Sequence, residues 1–213
     1  MNRGAKPAYA AIFARVFNRY STIGEITMQH SNLTLPAIEK LEDLARDFNF
    51  RKASGHELRD GLKMAEDLLG APLATPENVE RMDNITGYTS WITGDPVEGI
   101  FLTIPLSEAG EAAVRNGTYT PGAPDAAHLC GKDQICYGFY IGVYAGATHQ
   151  ARKNIMTAAA VLRVKLFAPF PCFARGATED GVRSMLSLGF TPIEGGLPDL
   201  YVQEALIDVR AAA

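Results

Sequence analysis

Arg152 and Lys153 fall in the opening turn of a helix, the end at which a positive side chain is least favoured. Each cation there costs about 0.3–1 kcal/mol at an exposed position. An anion on the free N–H groups of that turn would offset the cost, because a helix start already attracts negative charge. Either the two side chains swing into water, or they flank a phosphate.

The helix is placed by what surrounds it. Residues 135–144 are β-branched and aromatic and carry no charge, so they read as a buried strand. A short loop, Ala145-Gly146-Ala147-Thr148, follows. Ile155, Ala158, Ala159, Leu162 and Leu166 then recur at helical spacing, and Arg163 and Lys165 suit the closing turn. Gly138 and Gly142 lie four apart on the strand and share a face, which implies either a groove or a closely packed helix. His128-Leu129-Cys130 with Cys136 has a metal-like composition. Its spacing fits no zinc pattern, and no fourth ligand accompanies it.

Elsewhere the elements are punctuated by turn residues. Residues 8–20 read as an amphipathic helix candidate with Tyr9, Ile12, Phe13, Val16, Phe17 and Tyr20 on one side, in a stretch whose first charges are all basic. Such a helix lies on a membrane or, more commonly, packs on its own domain or a second subunit. A second helix spans 37–47, and together these make an N-terminal helical extension, residues 1–47. The main domain, 48–213, opens with a strand at 48–53 and a helix at 56–69 closed by Gly70. A short helix at 76–83 has Thr75 as its cap. A hairpin follows, 88–93 and 97–104, with Ile100, Leu102 and Ile104 on one face and Phe101 and Thr103 on the other. The insert at 106–133 holds a short helix at 108–115 and a Gly/Pro-rich loop that either covers a site or lies on the surface. The prolines at 169 and 171 delay the next strand to 172–175. The helix after it is capped by Thr178, turns Val182, Met185 and Leu186 inward, and stops at Gly189 before strands at 191–193 and 199–205.

Composition narrows the function classes. A net charge of −4 gives no general attraction to nucleic acid. No apolar run is long enough to cross a bilayer. Three cysteines in a chain of 213 residues read as reduced thiols of a cytoplasmic protein.

From residue 48 to 209 the order of elements resembles the GNAT acyltransferase superfamily. Two places carry the likeness. Ile141-Gly142-Val143 leads through the loop into the long helix, and the Gln/Arg-x-x-Gly-x-Gly/Ala turn of that family falls on 148–153. Ser184-Met185-Leu186-Ser187-Leu188-Gly189-Phe190 is similar to its "LYEKLGF" ending. Ala151 and Lys153 stand where small turn residues are expected, and Met185 stands where many members carry a tyrosine.

The resemblance implies an α/β (α+β) fold: a mixed, mostly antiparallel twisted sheet flanked by helices. It implies acetyl-CoA, or another acyl-CoA, in a cleft between the 135–144 and 172–175 strands. The pantetheine arm would lie along Ile141, Val143 and Ala145, with the pyrophosphate over Gln150, Ala151, Arg152 and Lys153. The reaction would be N-acylation of a small-molecule or protein amine, with Glu98 or His128 as base and Tyr140 as proton donor. Each of these three also has a plainer reading: solvated strand residue, loop surface and core. A second function class is a GNAT-like module that no longer turns over and serves binding or homodimer contact through the 8–20 helix.

Overall fold

The computed structural model describes residues 34–206; the 8–20 helix expected from sequence lies outside them. Within that range a seven-stranded sheet is covered by helices on both faces. In chain order the elements are α1 (Ile38–Arg46), β1 (Phe50–Lys52), α2 (Gly55–Leu69), α3 (Pro76–Thr86), β2 (Ser90–Thr93), β3 (Gly99–Leu106) and α4 (Glu108–Asn116). They continue with β4 (Gly138–Gly146), α5 (His149–Lys165), β5 (Cys172–Arg175), α6 (Glu179–Ser187), β6 (Thr191–Pro192) and β7 (Leu200–Gln203). The strands lie in the order β1-β2-β3-β4-β5-β7-β6; β4 and β5 are parallel and every other neighbour is antiparallel.

Alternation along β3 divides the core. All eight of its residues are buried, as a central strand covered on both faces requires. Ile100, Leu102 and Ile104 face Leu58 and Leu62 of α2, Val79 and Met82 of α3, and Val114 of α4. Phe101 faces the other way, edge-on to Phe50 and Tyr144 with ring centroids at 5.0 and 5.8 Å. That second layer holds Leu41 and Ala45 of α1 and Ile155, Ala158 and Leu162 of α5. Each fully buried Leu or Ile contributes about 1.5–3 kcal/mol relative to exposure. The two faces of β3 are as alternation predicts, and so is β5. The expected central strand starts three residues later, at Gly138, because 135–137 belong to the returning insert. Leu186, expected inward, is exposed.

Helix starts are stopped and fixed by side chains. Thr75, Ser107, Thr148 and Thr178 each accept a backbone N–H from three residues ahead. At α2 the Ser54 backbone N–H and hydroxyl both donate to Glu57 Oε2, at 3.1 and 2.6 Å. Those bonds, with Arg51 on the other oxygen, hold the Glu57 carboxyl at a pKa of about 2. A depressed carboxyl stabilises the fold above its unfolded pKa and loses that contribution as pH falls through the folded one. Glu57→Gln is therefore expected to lower stability at neutral pH and to converge with the parent between about pH 4.5 and 2, as urea midpoints across that range would record.

The insert is ordered by its ties to β3. After α4 the chain returns so that Cys130 N–H donates to Pro105 O at 3.0 Å, Ser107 N–H to His128 O at 3.1 Å and Tyr137 N–H to Leu106 O at 2.9 Å. Gly110 of α4 lies flat against the His128 carbonyl, where any Cβ would collide. This contact fixes the height of the 126–128 turn above the sheet.

Candidate functional site

Two features set the geometry around β4, a bulge and a parting of strands. Leu102 pairs with Val143 and Thr103 with Ile141, so Gly142 is an extra residue in β4. A bulge bends its strand and increases the local twist. β4 pairs with β5 only at Phe139, Tyr140 and Ile141, opposite Cys172, Phe173 and Ala174. From Gly142 onward β4 runs beside β3 alone, while Arg175 pairs with Leu200 of β7. The two parallel strands therefore form a wedge with its apex at Ile141.

The bulge also resets which groups face the wedge. Glu98 O accepts from Ala147 N–H and Leu106 O from Tyr137 N–H, whereas Thr103 N–H donates to Thr89 O, just before β2. The even-numbered residues of β3 thus bond to β4, and their partners Val143 and Ala145 turn their backbone groups toward β3. Ile141 and Tyr144 turn theirs toward the β5 side. Side chains follow the same phase: Tyr140, Val143 and Ala145 lie on the α2 face, and Ile141 and Tyr144 on the α5 face. Strict alternation would have put Ile141, Val143 and Ala145 on one face.

At the mouth of the wedge, Gly146 lies against the first turn of α5. A Cβ there would come within 2.7 Å of Arg152 N and 3.0 Å of Ala151 C. Thr148 Oγ1 satisfies Ala151 N–H at 3.1 Å and Thr148 O satisfies Arg152 N–H at 3.0 Å. His149 and Gln150 keep backbone N–H groups with no acceptor among the described residues, and both residues are exposed. The Gln150 side chain bonds Asn154 at 2.7 Å. Arg152 Nη1 folds back onto Gly146 O at 3.1 Å. Lys153 is exposed and pairs with no carboxylate among the described residues. The turn thus offers two N–H groups and one free ammonium to an anion, with Arg152 alongside.

The three acid–base candidates separate into two places. Glu98 joins the α5 start, where its Oε2 accepts from Thr148 Oγ1 at 3.3 Å. His128 and Tyr140 lie on the opposite face of the sheet and are linked by Tyr119, with ring centroids 5.9 Å from His128 and 5.3 Å from Tyr140. Burial pushes the Tyr140 hydroxyl up to about 12 and Tyr119 higher still, so both are neutral donors. The Tyr119 hydroxyl and His128 Nδ1 are buried without a partner among the described residues. Tyr119 is the residue that sequence reading passed over. Its signal was an aromatic side chain inside an otherwise small and polar loop, 116–127.

Among the described residues no group of three His, Cys, Asp or Glu side chains could hold a metal ion, and no helix is long and apolar enough to cross a membrane. Comparison with protein families, curated proteins and solved structures finds no match.

Proposed function

We propose that this protein is an N-acyltransferase that moves an acyl group, acetyl in the simplest case, from acyl-coenzyme A to an amine. The observation that carries the reading is the wedge: a glycine bulge frees half of β4 from β5 immediately before a helix start whose first N–H groups and Lys153 have no partner among the described residues. The resemblance to the GNAT superfamily in order of elements supports it, because a thioester with a nucleotide tail is the ligand that such a layout suits. Coenzyme A would supply the activated acyl group. The backbone of Tyr144 would pair with the pantetheine amides, and His149, Gln150 and Lys153 would hold the pyrophosphate. Val143 and Ala145 would line the α2 side of the apex with their side chains.

Transfer to an amine requires three things of this chain. The wedge must align amine and thioester, a donor must steady the carbonyl oxygen as it gains charge, and a base must take the ammonium proton. Ile141 lies at the apex, where β4 leaves β5. Of the acid–base candidates, His128 and Tyr140 on the α2 face would carry the proton, and Glu98 at the α5 start would not. Incubation with acetyl-coenzyme A and a panel of amines tests the reading: thiol release that depends on amine supports it, and amine-independent or absent release opposes it.

Glu98 then has a different effect. Its carboxylate shares the α5 start with the proposed pyrophosphate, so Glu98→Gln removes a repulsion. Coenzyme A affinity is expected to rise about 2–5-fold, the range a single charge commands at a helix end. A base would instead show unchanged affinity and a collapsed turnover number.

A further inference from the structure

We propose that Cys130 and Cys136 form a redox site, in which a hydroperoxide oxidises Cys130 and Cys136 closes it to a disulfide. The two side chains meet in the α5-side core. Cys130 N–H bonds Pro105 O, and Tyr137 N–H, next to Cys136, bonds Leu106 O, so the last residues of β3 hold the two together. Cys130 Sγ lies 3.5 Å from Ile135 O, an atom of the peptide group that leads into Cys136. The Cys136 S–H has two acceptors in reach, Gly138 O at 3.3 Å and the Cys130 sulfur. The bond to sulfur holds the Cys130 thiol below its ordinary value, whereas burial and the same bond push Cys136 up. The pair is therefore asymmetric: a nucleophile beside a resolving thiol.

Both sulfurs are buried, and the cover over Cys130 is a single turn of chain. The Cys130 sulfur contacts the carbonyls of Gly131, Gln134 and Ile135 at 3.6, 3.7 and 3.5 Å. Residues 132–135 are all exposed, Ile135 by 54%. The turn's own bonds are short in range, Gly131 N–H to Gln134 Oε1 at 2.8 Å and Gln134 N–H to Gly131 O at 3.3 Å, and Ile135 bridges to Thr34. A segment held so locally opens at a small part of the cost of global unfolding. Hydrogen peroxide is little larger than water, so opening this turn admits it. On the core side, the Tyr88 hydroxyl has no partner among the described residues and lies within electrostatic reach of both sulfurs. Tyr88 is 4% exposed, and negative charge on Cys130 gives its O–H the acceptor it lacks.

The steps balance with hydrogen peroxide as the oxidant. The Cys130 thiolate attacks one peroxide oxygen and the O–O bond breaks. Hydroxide leaves, takes up the proton that the thiol gave up and becomes water, and Cys130 is left as a sulfenic acid. The Cys136 sulfur then attacks the Cys130 sulfur. The S–O bond breaks, the hydroxyl departs with the Cys136 proton as a second water, and the S–S bond forms. The sulfurs lose a pair of electrons and the peroxide oxygens gain it.

Peptide mapping of the full chain tests this. The reduced protein is treated with hydrogen peroxide, its remaining thiols are capped with N-ethylmaleimide in urea, and it is digested with trypsin. Cleavage after Lys and Arg puts the three cysteines on separate peptides, 116–132, 133–152 and 166–175. The first two are expected to be joined by a link that dithiothreitol reverses. Cys172, whose thiol burial pushes up, is expected to stay capped on the third. Cys136→Ser is expected to trap Cys130 as a sulfenic acid that dimedone labels, and Cys130→Ser to leave Cys136 at least about tenfold slower to oxidise. Tyr88→Phe is expected to slow the linking about tenfold, the scale of one charge-assisted bond. No joined peptide, or one formed only when urea precedes the peroxide, overturns the inference. Oxidation of Cys172 at the same rate as Cys130 overturns it too. A Tyr88→Phe protein that links at the parent rate overturns the donor role of Tyr88.

Discussion

Gly146→Val is expected to weaken coenzyme A binding by at least about tenfold while the sheet stays folded. The side chain has nowhere to go except into the backbone of α5, since Arg152 N and Ala151 C lie 2.7 and 3.0 Å from the position of its Cβ. Neither is the flexible end of a side chain, so the first turn must move away from the strand. That movement carries with it the N–H groups of His149 and Gln150 and the Lys153 ammonium, which act as one site only at their present spacing. Overpacking of this kind costs about 1–3 kcal/mol of stability. Urea unfolding and a coenzyme A titration on the same preparation separate the two effects. Affinity equal to the parent in a folded Gly146→Val protein would show that the α5 start takes no part in binding.

Arg163→Leu is expected to destabilise the fold by about 3 kcal/mol or more, a large share of the total for a domain of this size. Arg163 is only 5% exposed and has no carboxylate partner among the described residues. Its Nε donates to Gln203 Oε1 at 2.7 Å, its Nη2 to Glu204 O at 2.6 Å, and its Nη1 to Phe167 O. One side chain thus ties the end of α5 to the end of β7. Burial pulls its pKa down, opposed by the Cys172 thiol and the Tyr144 hydroxyl nearby. Removing the guanidinium leaves two buried acceptors, Gln203 Oε1 and Phe167 O, without their donor, and frees the part-buried Glu204 O. Arg163→Lys is expected to recover little, because one ammonium on a flexible stem cannot span three fixed acceptors. Denaturant midpoints for both variants check this; a lysine variant as stable as the parent would refute the fork argument.

Much of this architecture is legible in the residues because the signals are local. Thr75 and Thr178 cap the helices they were expected to cap, Gly70 and Gly189 take positive φ at the ends of theirs, and β5 occupies residues 172–175 as expected. What stayed hidden depends on pairing across the sheet. Gly142 reads as a small residue on one face of a strand, and only its register against β3 shows that it is an extra residue that turns Val143 and Ala145 around. Arg163 reads as a cation complementing a helix end. Its burial depends on Gln203 and Glu204, forty residues away in sequence. His128 and Tyr140 were chosen for their chemistry, yet their proximity comes through Tyr119, which no periodicity marks. Glu98 was chosen as a candidate base, and the structure puts it at the α5 start, because Ala147 N–H donates to the Glu98 carbonyl.

The wedge between β4 and β5 carries the whole account, and a calorimetric titration of acetyl-coenzyme A into the full chain tests it most directly. The account predicts saturable binding with a Kd in the micromolar range, about −8 kcal/mol, weakened severalfold or more by Lys153→Glu. Absence of heat up to millimolar acetyl-coenzyme A, or a Lys153→Glu protein that binds as the parent does, would contradict it.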